Sequence, residues 1–316
     1  MVMESNVGHE QVGRVSRAYA FDGEMLAEQE EWSRRPLCVV NHEYRAGSGT
    51  PLVLVHAFPI DHRMWDECAA LIISRSARAG VVPFAVWAPD MPGAGMSPVP
   101  VVGSYGEPRE DGAYPRALDA IVETYVDMLH DAGYDKAVWA GISMGGYVAL
   151  DVQRLHPECV AGLALCDTTA DADVDGGAKR LGVAQDVVRG LTVMPVLHFA
   201  QPAQGDSTVR RSSWFIDEMT SWIREQSPAG IDWRQRMAAG RPDMNAQLPR
   251  ITVPSLVLCG DRDPSSGPDR MRVMASHMTG TEVDMQIIHD CGHFSAVEHP
   301  EEVAEALLHL MARVGR

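Results

Sequence analysis

The sequence predicts an α/β fold: a mostly parallel central sheet flanked by helices, with an inserted helical cap. Three observations carry this expectation. Short, nearly continuous apolar runs alternate with longer runs at helical spacing. A serine flanked by glycines, Gly141-Ile142-Ser143-Met144-Gly145, joins one such run to a helix-compatible stretch. The alternation breaks once, between residues 167 and 249, where helical patterns occur without a convincing strand.

In chain order, residues 1–35 are polar, precede the first strand-like run and read as an appended arm or short helix. The expected strands are Leu37–Val40, Leu52–His56, Pro83–Trp87, Ala137–Ala140, Val160–Cys166, Ser255–Cys259 and Val283–Ile288. Most are apolar at nearly every position, as in strands buried on both faces. Residues 115–132 place Leu118, Ile121, Val122, Tyr125, Val126 and Leu129 at helical spacing before Gly133, a plausible stop. Near the other end, Val303, Leu307, Leu310 and Met311 form a second stripe, with Pro300 near the helix start. The interval 167–249 holds helical patterns near 177–190, 191–200, 212–226 and 230–239. The domain plan is therefore an extension over 1–35, a core of 36–166 and 250–316, and a cap over 167–249.

Composition narrows the function classes. Of 316 residues, 46% are hydrophobic and 22% charged, as in a folded soluble protein. The formal charge of -16 disfavours nucleic acid and anionic membrane surfaces as partners, since both recruit Lys and Arg. Six cysteines form neither a Cys-x-x-Cys pair nor a dense scaffold, and no basic and apolar leader opens the chain. These features point to the cytoplasm and leave the oligomeric state undetermined.

The run Ala137–Ala140, the Gly-x-Ser-x-Gly turn and Tyr147-Val148-Ala149-Leu150 read as strand, sharp turn and helix. Such a turn crowds the positions two before and two after the serine, which explains Gly141 and Gly145, and it lifts the Ser143 hydroxyl above the sheet. The helix that follows points its amino end at the site, so the Met144 N–H can hold a developing oxyanion.

From about residue 37 onward the chain resembles the α/β-hydrolase family. Besides the serine turn, His56-Ala57-Phe58-Pro59 is similar to the family's His-Gly-x-Pro loop, with Ala57 where Gly is usual. Asp90-Met91-Pro92-Gly93-Ala94-Gly95-Met96-Ser97 is similar to its Asp-x-Pro-Gly-x-Gly-x-Ser loop. The resemblance implies an α/β-hydrolase fold with a Ser, acid, His order along the chain. It assigns Ser143 as nucleophile, His293 in Gly292-His293-Phe294 as base and Asp263 in Gly260-Asp261-Arg262-Asp263 as acid. The second oxyanion donor becomes the Phe58 N–H. Asp261 then reads as a turn residue, and Asp167 remains a third acid candidate because some members place the acid there. His56 reads as a loop-ordering partner, and Ser97 lacks the turn of a nucleophile.

His289, Cys291 and His293 lie close in sequence, but no second group of ligands accompanies them, so no metal is expected. Nor does the expected chemistry need a cofactor. The implied activity is hydrolysis of small-molecule carboxylic esters, with enol-lactonase, C–C hydrolase and perhydrolase as same-fold alternatives. A silent ligand receptor is the alternative of another class. Phe199, Trp214, Phe215, Met219 and Trp222 within the cap suggest an apolar substrate.

Overall fold

A computed structural model describes the backbone of residues 14–19 and, in full, residues 37–76, 82–101, 103–173 and 176–315. The elements run β1 (Arg14–Tyr19), β2 (Val39–Arg45), β3 (Gly49–Val55), α1 (Asp66–Ser76), β4 (Phe84–Pro89), α2 (Ala117–Asp131), β5 (Ala137–Ile142), α3 (Met144–Leu155) and β6 (Val160–Cys166). Then follow α4 (Gly177–Gly190), a 3-10 turn at Met194–Ala200, α5 (Ser213–Arg224), α6 (Pro228–Gly240) and a 3-10 turn at Asn245–Arg250. The chain closes with β7 (Ser255–Gly260), α7 (Pro268–His277), β8 (Val283–Ile288), α8 (Ser295–Glu298) and α9 (Pro300–Val314).

The strands form one sheet in the order β1-β2-β4-β3-β5-β6-β7-β8. From β4 to β8 every pairing is parallel, whereas β1 and β2 join antiparallel at one edge. β4, β5 and β7 are buried along their whole length and β6 at every position but Ala161, as their uninterrupted apolar sequences require. Two differences from expectation lie at the antiparallel edge. Where an arm or helix was expected within residues 1–35, Arg14–Tyr19 forms a strand; the rest of that segment lies outside the described residues. Pairing on β2 satisfies backbone groups that an open edge would leave bare. β2 itself begins at Val39 and continues through polar Asn41, His42, Glu43 and Arg45, because its later side chains are only half-buried.

The sheet has its topological switch between β3 and β5: the chain moves outward from β3 to β4, then returns to the other side through β5. The crevice beyond the carboxyl ends of two such strands is where open α/β sheets bind ligands. Between β6 and β7 no strand occurs among the described residues, and α4 to α6 occupy the interval. Their starts are fixed locally. Ser212 Oγ accepts the Phe215 N–H at 3.2 Å and Ser227 Oγ accepts the Gly230 N–H at 3.0 Å, with Pro228 in the first helical turn.

α6 lies directly on the core. A Cβ on Gly230 would fall 1.9 Å from the Gly93 carbonyl oxygen, and one on Gly240 2.5 Å from the Tyr114 backbone. Between these two contacts the guanidinium of Arg234 is fully buried, donating to the carbonyls of Ile60 at 3.0 Å and Gly230 at 3.2 Å and to Gln226 at 2.9 Å.

Candidate active site

Each expected site residue sits just past the carboxyl end of a parallel strand: Phe58 after β3, Ser143 and Met144 after β5, Asp263 after β7 and His293 after β8. Adjacent strands of one sheet bring these ends together, although the residues are as much as 235 positions apart.

Ser143 occupies the turn from β5 into α3 with φ 54° and ψ −114°, a conformation a non-glycine residue adopts only when its surroundings impose it. Three contacts impose it here. The Ser143 N–H donates to Cys166 O at 2.9 Å, its carbonyl accepts Thr168 Oγ1 at 2.7 Å, and the same carbonyl accepts the Gly146 N–H at 3.0 Å. The flanking glycines have no room for side chains: a Cβ on Gly141 would meet the Gly145 carbonyl oxygen at 2.1 Å, and one on Gly145 the Val55 carbonyl oxygen at 2.1 Å.

The Ser143 hydroxyl lies 2.8 Å from His293 Nε2, and His293 Nδ1 lies 2.8 Å from Asp263 Oδ2. A neutral imidazole protonated at Nδ1 therefore donates to the carboxylate and offers Nε2 to the serine. Burial alone would push His293 down, but the Asp263 charge and hydrogen bond, with a contribution from Asp167, raise it above the ordinary histidine value. Burial likewise disfavours the charged form of Asp263; the charge and hydrogen bond of His293 and the N–H groups of Ser265 and Ser266 outweigh it and hold the carboxyl low. Ser265 N lies 2.8 Å from Asp263 Oδ1.

The other acid candidates stand apart from the imidazole nitrogens. Asp261 pairs with exposed His289 at 2.7 Å. Asp167 is fully buried, accepts the Gly260 N–H at 3.0 Å and faces the Ser295 N–H at 3.4 Å. Burial and then the Asp263 charge push it far above the usual carboxylate range. His289, Cys291 and His293 diverge: the first pairs with Asp261, Cys291 is buried and the third faces Ser143.

Met144 opens α3, so its N–H has no partner within the helix. Phe58 lies opposite, after β3, and both residues line the same cavity as Ser143 and His293. In that loop the Ala57 N–H is turned onto Met64 Sδ at 3.0 Å. His56 Nε2 accepts the Met91 N–H at 2.8 Å, which leaves Nδ1 to donate to Ala57 O at 2.9 Å. Burial lowers His56 to about 4, so it stays neutral and orders the loop.

Sequence reasoning missed three supports. Glu298 is buried and accepts the N–H groups of Gly292 at 2.7 Å and Phe294 at 3.1 Å, clamping both sides of His293. Ser207, between α4 and α5, hydrogen-bonds to the same carboxylate and so ties this segment to the histidine loop. The Arg234 guanidinium lies 5.5 Å from the Phe58 ring centroid. A glutamate five residues after His293 was the only one of these with a local signal.

The cavity above Ser143 holds about 480 Å³. Of the aromatic and methionine residues expected to shape it from the cap, Phe199 lines it; Phe215, Met219 and Trp222 are buried in packing, and Trp214 faces solvent. Lys179, Arg180, Arg210, Arg241 and Arg270 also line it, against one acidic side chain among the described residues, Asp173. The lining is thus mixed rather than apolar.

A profile described as the alpha/beta hydrolase family matches residues 52–306. The chain is 30% identical over 271 residues to the dihydrolipoyllysine-residue acetyltransferase component of the acetoin cleaving system of Pseudomonas putida, covering 82% of this chain and 63% of that relative. This chain thus spans less than two thirds of that relative's length. It is 27% identical to a pimeloyl-[acyl-carrier protein] methyl ester esterase of Photobacterium profundum, over 83% of this chain and 94% of the other. A thermophilic esterase from Thermogutta terrifontis superimposes with a TM-score of 0.73 at 29% identity, covering 89% of this chain and 95% of that one.

Proposed function

This chain belongs to the alpha/beta hydrolase family, and from that premise we propose that it is a serine hydrolase cleaving small-molecule carboxylic esters through an acyl-enzyme on Ser143. The observation that carries the reading is the unbroken line from Asp263 through His293 to Ser143, with 2.8 Å at each step, opening into the cavity. Similarity to two esterases supports the choice of ester over other acyl substrates.

In this reading His293 Nε2 takes the Ser143 proton as Oγ attacks the ester carbonyl. The oxygen of the tetrahedral intermediate accepts the N–H groups of Phe58 and Met144, and loss of one such donor costs about 3 kcal/mol in comparable sites. His293 then returns the proton to the departing alcohol oxygen. Water, deprotonated by the same imidazole, attacks the acyl carbon and frees the acid. Asp263 stays ionised throughout and stabilises the imidazolium. These steps need no metal or cofactor.

Residues 167–249 serve as a cap on the core of 36–166 and 250–316, a division supported by the all-helical stretch between β6 and β7. Six free thiols, five of them buried, support a reducing, cytoplasmic setting. Among the described residues no helix is long and apolar enough to cross a membrane.

A fluorophosphonate probe with peptide mass spectrometry tests the nucleophile: Ser143 is labelled, and Ser143→Ala is not. A folded protein whose Ser143 ignores the probe would favour a silent receptor. A panel of 4-nitrophenyl esters, an enol-lactone and a vinylogous diketone tests the substrate class; cleavage of the lactone or diketone alone would move the reading to those same-fold activities.

A further inference from the structure

The charge of the cavity wall opposes that of the molecule. The chain carries a formal charge of -16, yet among the described residues the cavity above Ser143 is lined by five cationic side chains and one carboxylate. That carboxylate, Asp173, is shared: Arg180 pairs with it from α4, and Arg241 Nη1 reaches the same oxygen at 2.9 Å. Arg210 is balanced at Nε by Asp206 at 3.1 Å, while its Nη1 is buried without a hydrogen-bond partner among the described residues. Lys179 on α4 and Arg270 on α7 have no carboxylate within ion-pair distance among the described residues, and they approach the cavity from two different elements. Arg210 also lies near enough to His293 to oppose its protonation.

Excess cation along a concave wall favours an anionic occupant, because a cleft lined by one sign of charge focuses the field and draws counter-ions into it. A neutral apolar ester would leave this charge unanswered. Resting on the serine hydrolase reading, we infer that the ester cleaved at Ser143 carries a second, anionic group, a carboxylate or phosphate, held by the wall that Lys179, Arg180, Arg241 and Arg270 form.

The test compares kcat/KM for mono-4-nitrophenyl glutarate, a phosphate-terminated ester of matched length and neutral 4-nitrophenyl valerate, each normalised to its uncatalysed hydrolysis rate. At least one anionic ester is expected to be favoured tenfold or more. Preference for both assigns the wall to anions in general, and preference for one names the headgroup. In the charge-reversed Lys179→Glu/Arg270→Glu protein the anionic-to-neutral ratio is expected to fall at least tenfold. Both side chains are largely solvent-facing, and circular dichroism checks the fold. Equal or faster turnover of the valerate by the unmodified protein would overturn the inference, as would a ratio indifferent to charge reversal, while Ser143 labelling left the hydrolase reading intact. Failure to label Ser143, with no turnover of any ester, would remove both.

Discussion

At the scale of single residues, two buried aspartates near one histidine have opposite assignments. Asp263 bonds His293 directly and is held ionised, whereas Asp167 is pushed toward its neutral form by burial and by Asp263. Asp263→Asn is therefore expected to lower kcat by about 10³–10⁴-fold, since the tautomer and the imidazolium lose their support. The proposed mechanism requires neutral His293, so activity is expected to fall as pH drops through a midpoint above the ordinary value of about 6.5. In Asp263→Asn only the burial effect and weaker charges remain, and the midpoint moves below that value. Asp167→Asn is expected to keep kcat within about tenfold and to move the midpoint down slightly. A pH profile of kcat/KM for the three proteins checks both; an Asp167→Asn protein as impaired as Asp263→Asn would reverse the assignment. The sequence made Ser143, Asp263 and His293 legible because each follows a recognisable strand within a short local pattern. Arg234 and the cationic wall were not legible, because their meaning arises only from what distant segments bring against them, while Glu298 left only the local trace of a glutamate five residues after His293.

Among the elements, legibility followed apolar sequence more than burial itself. β4 to β7, buried at all but one position, are readable as apolar runs, and half-buried β8 is readable from its apolar residues too, whereas the antiparallel edge differs because β2 continues into polar residues. α1 escaped notice since its buried residues, Cys68, Ala69, Ile72 and Ser76, make a weak stripe. The expected helix near 191–200 is a 3-10 turn at Met194–Ala200, with Pro195 at its start. Glycine meaning also depends on the neighbour, and two glycines make a paired test. Gly230→Ala forces a Cβ into backbone at 1.9 Å, while a Cβ on Gly182 of α4 would meet nothing within 4 Å. The first is expected to cost about 3 kcal/mol and to impair turnover by shifting Arg234 away from Phe58. Gly182→Ala is expected to gain about 0.5–1 kcal/mol from helix propensity. Urea unfolding with an unchanged slope measures both, and equal costs would show that helix propensity rather than contact governs.

Across the whole molecule, the Asp90 carboxylate joins three segments at one point. It accepts His42 Nε2 at 2.9 Å from β2, the His62 N–H at 3.0 Å and Nδ1 at 2.9 Å from the loop after β3, and the Met96 N–H at 3.0 Å from its own loop. Burial opposes ionisation, yet the two histidines hold the carboxyl well below the usual range. A carboxyl depressed on folding contributes stability above its unfolded value of about 3.9 and loses it as pH falls toward the folded value. His62, raised on folding, contributes fully below about 6.5 and loses that contribution as pH rises through its folded value. Asp90→Asn is expected to cost about 3–5 kcal/mol near pH 6, with the deficit shrinking only below about pH 3.9, where the unfolded carboxyl takes up a proton and native Asp90 stays ionised. Denaturation midpoints from pH 2 to 7 check it, and a deficit that stays constant below about pH 4 would contradict it. The seating of α6 also decides how this architecture can be recombined. With Gly230 against Gly93, Gly240 against Tyr114 and Arg234 buried between them, α6 is mechanically part of the core although its sequence lies in the inserted stretch. A chimaera that imports a foreign roof should cut after α5 and keep α6 with its host, including the Ala239 side that meets Leu181 of α4. Donor segments that end at residue 224 would fit where they also supply a partner for Glu298 in place of Ser207 and a face for α6 in place of α4, and those that run on to 249 would bring a helix with no berth.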